Sequence, residues 1–435
     1  MHLRFRPRGG RLLALVAVLA VGSRLAFGQP AGEVLSLQET VGLASARSAD
    51  AETSRAYVQA ASEMAVAAGQ LPDPVLRLGV NNVPLNKSAQ FSLTRDFMTM
   101  RSISVMQEFT RSDKRRAKAA RFEAEATAVE AQRAAALANV QRSAVAAWLD
   151  RWYAEQTDAL LGHHGQPLEL ARQAAMAAYR SGRGTRADVL AADMEVQKLR
   201  DRQDANRAAI EMAMVNLERW IGPAARRPLG DHPPLEVPQS AQRLAADAFD
   251  SVPEVVAAQR DVALAETEIR AAAQAKKPDV TVELMYSQRG SAYSNMGSLN
   301  VSFPVPWDQA NRQDREVAAK LAQAQEARAK SEILRRNTQA MVAGKLAELR
   351  RNLERLKRYD ETTLPLASAQ ADAALTAYRA NTGTLSAVAE ANHRAIDATQ
   401  ERLALEAKTA KLWADLAFLV PMPTAQTETA TGSLQ

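Results

Sequence analysis

The sequence predicts an α+β membrane protein in which long coiled-coil helices join four short strands, the whole layout written twice. Three observations predict it. Tyr179-Arg180, Gly184 and Thr185 recur as Tyr378-Arg379, Gly383 and Thr384, at a constant offset of 199 residues. Two pairs of alternating segments, near 75–109 and 279–305, interrupt an otherwise helical hydrophobic period. Aromatic residues make up only 5% of the chain, and long Ala/Glu/Arg/Gln tracts favour elongated helices over a compact core. A period near 200 is too long for a solenoid repeat. It reads as a duplicated half-protein, residues 29–235 and then 236–420.

Residues 1–28 have the pattern of a secretory signal. Arg4, Arg6, Arg8 and Arg11 form a basic start, Leu12 to Val21 is apolar, and Ala26-Phe27-Gly28 is a small-x-small cleavage site. The apolar run is too short to span a bilayer as a helix. The segment carries five arginines and no acid, so its removal takes the net charge from +6 to about +1. The basicity is therefore targeting, and a nucleic-acid partner is not expected. With no cysteine in the chain, a disulfide framework, a thiolate metal site and a thioether-linked lipid anchor are excluded.

Residues 36–69 read as a helix that ends at Gly69 and Pro72. From Val75, Leu76, Leu78 and Val80 face opposite to Arg77 and Gly79; from 99 to 109, Ser102 and Ser104 face opposite to Ile103 and Val105. Two alternating runs joined by a polar loop make a hairpin. A long helix is expected from Ser112 to Gly162, where His163, His164, Gly165 and Pro167 would break it, and a second from Leu168 to Ile221. Each would be on the order of 75 Å long, with apolar stripes suited to coiled-coil packing.

A Pro/Gly-rich connector, Gly222 to Pro238, joins the halves. The order then repeats: a helix over 241–276, strands at 279–288 and 298–305, and helices over 308–359 and 364–419. Residues 421–435 have the composition of a disordered tail.

No later segment is apolar enough to cross a membrane as a helix. Strands of this length, with one apolar and one wet face, suit a membrane barrel. Four strands cannot close one, and open edges are not tolerated in lipid. The chain must then oligomerise, with Ser102, Ser104, Ser298, Asn300 and Ser302 facing a wet lumen.

The duplicated helix–hairpin–helix layout and the paired Tyr-Arg-x-x-x-Gly-Thr turns resemble the TolC family of outer-membrane efflux channels across residues 36–420. The resemblance implies a homotrimer whose protomers each give four strands to one twelve-stranded barrel. It also implies a periplasmic helical tunnel that tapers shut where a periplasmic adaptor and an inner-membrane pump of the resistance–nodulation–division type dock. The segments Gly69-Gln70-Leu71-Pro72-Asp73-Pro74, Met98-Thr99-Met100 and Gln107-Glu108-Phe109 are similar to the heavy-metal-efflux branch, which implies metal cations as cargo.

In that family acidic residues line the constriction. Asp188 matches one gate aspartate; Ala387 replaces its counterpart in the second half, where Glu390 offers another acid. A carboxylate ring at a narrow pore favours cations. Tyr179, Arg180, Gly182, Gly184, Thr185, Tyr378, Arg379, Gly383 and Thr384 are the expected periplasmic tip and adaptor contact.

Other clusters read as structural. Met98, Met100 and Met106 supply Cu(I)-type thioethers but have no histidine near them, and methionine mostly fills apolar space. His163 and His164 are adjacent and do not converge as a metal pair. Trp148 and Trp152 are expected in helix packing. Arg111, Lys114, Arg115, Arg116 and Lys118 read as a solvated helix start. No catalytic constellation, phosphate loop or cofactor motif is present; no enzyme activity, cofactor or bound metal is expected. The rival readings are a duct for organic toxicants, a soluble periplasmic adaptor and a coiled-coil scaffold.

Overall fold

The computed structural model describes residues 34–245, 248–380 and 382–422. The signal segment and the tail beyond 422 lie outside the described residues. The first half contains α1 (Leu37–Ala46), α2 (Ala49–Gly69), β1 (Val75–Asn81), β2 (Met100–Phe109), α3 (Ser112–Arg180) and α4 (Arg186–Ile221). The second contains α5 (Gln239–Ala245), α6 (Pro253–Ala275), β3 (Val280–Gln288), β4 (Met296–Ser302), α7 (Gln313–Arg358), α8 (Leu364–Arg379) and α9 (Leu385–Ala417).

Four helix boundaries differ from expectation. The break placed at Gly162–Pro167 does not exist. α3 runs unbroken for 69 residues with Pro167 inside it, and the chain reverses only at 181–185. Pro167 removes one backbone donor, yet α4 lies alongside and Leu199 comes within 3.9 Å of a Cβ position at Gly165, so packing holds the helix through. The boundary placed at 359–364 is not a reversal either. Residues Tyr359–Thr363 form one widened turn, in which the Leu364 N–H donates to the Tyr359 carbonyl. Such a turn absorbs the ring of Pro365 without ending the helix. The second reversal lies at 380–384. At the start of each half the single expected helix is two: α1 and α2 meet at Arg47–Ser48, and a short 3₁₀ turn, Ala248–Ser251, separates α5 from α6.

Strands pair antiparallel in the order β1-β2-β3-β4. The register places Leu76 beside Val105, Val105 beside Leu284 and Leu284 beside Leu299, an apolar row across all four strands. The row Leu78, Ile103 and Tyr286 lies next to it. These side chains are exposed, Leu78 at 71% and Leu299 at 68%, so the monomer leaves this face uncovered. The opposite face carries Ser102, Ser104, Ser298, Asn300 and Ser302. There Glu283 accepts from Ser104 Oγ at 2.7 Å and from Asn300 Nδ2 at 3.3 Å, and pairs with Arg77 at 3.5 Å. β1 and β4 are open edges.

Two cores lie where the helices meet at mid-length. One gathers Leu35 from just before α1, Val145, Trp148 and Leu149 from α3, Leu217 and Ile221 from α4, and Phe418 from the C-cap of α9. Trp148 is fully buried, and its indole N–H donates to Leu35 O at 3.3 Å. The other joins Val252 and Val255 to Val342, Leu349 and Leu416. The connector returns to the first core, with Leu35 N–H donating to Pro228 O at 2.8 Å. Two members of the basic cluster after β2 are not simply solvated. Lys114 pairs with Asp279 at 2.5 Å, and Arg115 donates to Gly69 O at 2.8 Å and Thr110 O at 3.2 Å. They tie strand ends to helix starts. Met100 and Met106 lie in β2, and Met98 precedes it.

Candidate functional site: the helical tip

The two hairpin turns, 181–185 and 380–384, are built alike. After α3, the Arg183 and Gly184 N–H groups both donate to Ala178 O; after α8, the Thr382 and Gly383 N–H groups both donate to Ala377 O. Gly184 and Gly383 are needed for close approach. A Cβ at Gly184 would stand 3.0 Å from Ala178 Cβ and 3.2 Å from Tyr179 N; one at Gly383 would stand 3.1 Å from Ala377 Cβ and from Tyr378 N. Gly182 is needed for its backbone, at φ +71°. Tyr179 and Arg180 close α3, and Tyr378 and Arg379 close α8.

Thr185 and Thr384 then start the returning helices as N-caps. Thr185 Oγ1 accepts from Asp188 N at 3.2 Å, and the Asp188 carboxylate accepts from Thr185 N at 2.9 Å, closing a capping box. Thr384 Oγ1 accepts from Ala387 N at 3.2 Å, and no carboxylate reciprocates. Hydrogen bonds from Thr185, its backbone N–H first, hold the Asp188 carboxyl below the usual carboxylate range. Asp188 is thus ionised and also a helix-capping group. Glu390, on the outside of α9, pairs with Arg394 at 3.5 Å.

Asp188 and Glu390 line one cleft of about 670 Å³ between α3, α4 and α9. Leu168, Ala191, Met194, Val388 and Ile396 make its apolar wall, and His164, Glu195 and His393 add polar groups. Burial, then the charge of His163, holds His164 below the usual histidine range. The imidazole of His393 stands between Asp397 at 3.3 Å and Glu195 of α4 at 3.6 Å. Arg202 reaches from α4 to Asp397 at 3.5 Å. Sequence reasoning missed this cross-link between the hairpins. Its signal was available: at the 199-residue offset Glu195, Lys198 and Arg202 correspond to Arg394, Asp397 and Glu401, an inverted charge pattern. Among the described residues no group of three or more His, Cys, Asp or Glu is placed to hold a metal ion. No helix among them is long and apolar enough to cross a membrane.

Long helical hairpins on one end of a four-stranded sheet, apolar on one face and open at both edges, make a distinctive combination. The chain has the TolC-family channel fold. The outer-membrane channel OprN aligns over 88% of this chain and 90% of its own, at 16% identity and a TM-score of 0.70. The outer membrane protein VceC of Vibrio cholerae aligns over 88% and 95%, at 16% identity and 0.71. CusC, for which conformational changes accompany folding and transmembrane channel formation, aligns over 88% and 91%, at 14% identity and 0.73. No protein-family model and no curated protein sequence matches the chain. The shared property is therefore the TolC fold, carried at low identity.

Proposed function

We propose that this chain is an outer-membrane channel, the exit duct of a tripartite efflux pump, with its helical tunnel in the periplasm. The observation that carries this is the sheet: one face apolar and uncovered, the other polar, both edges open, all helices leaving from one end. Such a sheet is stable in lipid only when its edges are paired. Three copies, each giving four strands, would close a twelve-stranded barrel. Residues 29–235 and 236–420 act as two structural repeats, each supplying one strand hairpin and one helical hairpin.

The channel does no chemistry of its own; energy comes from an inner-membrane pump of the resistance–nodulation–division type through a periplasmic adaptor. The tip turns, with Tyr179, Arg180, Gly182, Gly184 and Thr185 and their counterparts Tyr378, Arg379, Gly383 and Thr384, are the adaptor contact. Asp188 and Glu390 are the gate acids. Their shared cleft supports a common role. Metal cations are the cargo, on the resemblance of Gly69–Phe109 to the heavy-metal branch; organic toxicants are the second reading.

The test is deletion of the gene in its host, followed by sensitivity to a panel of metal salts and organic toxicants. Heightened sensitivity to metals alone supports the first reading, and to organic compounds alone the second. Unchanged tolerance to all of them would contradict a role in efflux.

A further inference from the structure

The apolar face of the sheet carries a single charge. Along β2 that face presents Arg101, Ile103, Val105, Gln107 and Phe109, and the ladder sets Arg101 beside Val80 and Gln288. Among the described strand residues no other Asp, Glu, Lys or Arg lies on this side. Gln107, the other polar group on β2, is satisfied, donating to Pro72 O at 2.8 Å and Glu108 O at 2.9 Å. Arg101 is not. Among the described residues its Nε is shielded and meets no acceptor, and no carboxylate pairs with its guanidinium. β2 is flanked by β1 and β3 of its own chain, so closing the sheet with further copies covers neither side of Arg101.

Its depth is informative. Arg101 sits eight residues from Phe109, about 26 Å along a strand and about 20 Å in height at the roughly 35–45° tilt of barrel strands, at the end of the sheet away from the helices. An apolar band of a membrane barrel is about 25 Å tall, and arginine on the lipid face costs about 2–4 kcal/mol at mid-depth but about 0–1 kcal/mol at the margin. Arg101 and Gln288 stand one row beyond Leu78, Ile103 and Tyr286, so the apolar face ends at their level, and it is this boundary that sets Arg101 at headgroup depth. The two loops at this end, 82–99 and 289–295, add Lys87, Arg95 and Arg289 against one acid, Asp96. Arg289 is committed to Phe97 O and the Tyr293 ring, and Asp96 accepts from Met98 N at 2.8 Å. Lys87 has no side-chain partner among the described residues. Phe91 and Phe97 are exposed beside these cations.

We propose that Arg101, with Lys87 and Arg95 in the adjoining loop, binds the phosphate groups of an anionic lipid headgroup in the outer leaflet. A planar guanidinium with no protein acceptor, set at headgroup depth, matches phosphate in a two-pronged hydrogen bond. The inference rests on the reading of the sheet as membrane-spanning.

The test uses the mature protein purified in a neutral detergent. A diphosphorylated glycolipid, phosphatidylcholine and inorganic phosphate are titrated separately while the thermal unfolding midpoint is read. The glycolipid should raise the midpoint of the wild type, whereas phosphatidylcholine and free phosphate should not. Arg101→Gln should need about tenfold more glycolipid for the same shift, and Arg101→Lys should recover part of the loss. An equal shift with free phosphate or phosphatidylcholine, or a full response in Arg101→Gln, would overturn the proposal. Conductance in phosphatidylcholine bilayers should be the same for wild type and Arg101→Gln, which shows that the variant folds. A wild type that forms no channel there would overturn the channel reading, and the lipid site with it.

Discussion

Lys114 and Asp279 form an ion pair of 2.5 Å that joins the start of α3 to the residue preceding β3, so the two halves are bolted together where strands give way to helices. Both side chains are largely shielded, at 17% and 14% exposure, and Asp279 also accepts from Arg111 N at 3.2 Å. Lys114→Met should destabilise the assembled protein by about 2 kcal/mol, between the values for exposed and fully buried pairs. Unfolding in denaturant measures it, and the Asp279→Asn double-mutant cycle should return a coupling of about 1 kcal/mol.

The tip glycines and a helix glycine should respond in opposite directions. Gly184→Ala and Gly383→Ala place a Cβ against backbone atoms at 3.1–3.2 Å that cannot move independently of their helix. Each should cost about 1–2 kcal/mol and loosen the turn. Gly344, inside α7, has nothing within 4 Å of its Cβ position, so Gly344→Ala should stabilise by about 0.5–1 kcal/mol. Hydrogen exchange at the two turns, with thermal unfolding of all three variants, checks both directions.

A pH dependence follows from His232 in the connector. Its Nε2 faces Glu406 of α9 at 3.3 Å, and its Nδ1 contacts Pro233 O at 2.6 Å. The hydrogen bond to Glu406, above all, raises the His232 pKa against the opposing effect of burial. A raised histidine contributes stability fully below its unfolded value of about 6.5, and that contribution fades as pH climbs through the folded value. For Glu406, burial pushes upward, but the His232 hydrogen bond and the Arg402 charge win and lower it. Its contribution is present above about pH 4.3 and is lost as pH falls through the folded value. The junction should be firmest between these limits and weaken towards pH 8. Unfolding midpoints from pH 5 to 8 should fall for the wild type, and His232→Gln should remove most of that slope.

Mutation can separate the proposed gate role of Asp188 from its observed helix-capping role. Asp188→Ala removes the carboxylate and half of the capping box, whereas Thr185→Ala removes the cap but keeps the carboxylate. Loss of either capping partner costs about 1 kcal/mol. If Asp188 sets ion selectivity, single-channel recordings should show reduced cation preference in Asp188→Ala and Glu390→Ala and unchanged preference in Thr185→Ala. Matching changes in Asp188→Ala and Thr185→Ala would assign the effect to helix capping.

The sheet was legible because alternation is a local signal: Leu76 to Val80, Ile103 to Val105 and Leu299 to Val301 each declare a face within a few residues. The tip was legible because the turn needs glycine at the same place twice. Helix ends were not, because Gly162, Gly165, Pro167 and Pro365 look like stops in sequence, and only the neighbouring helix or a widened turn shows that the chain continues. The His393, Glu195 and Arg202 cross-link depends on how two hairpins lie together, which no periodicity within one helix reports. Arg101 was hidden for another reason. A lone cation at a strand end is ordinary until the register places it on the apolar face of the sheet, one row beyond Leu78, Ile103 and Tyr286.

The most direct test of the account is the stoichiometry of the mature protein released from lipid in mild detergent, read by native mass spectrometry. Three chains per particle is the expected result, since only pooled strands can pair the open edges of β1 and β4. A single chain, stable and folded in aqueous buffer with its sheet edges unpaired, would contradict it.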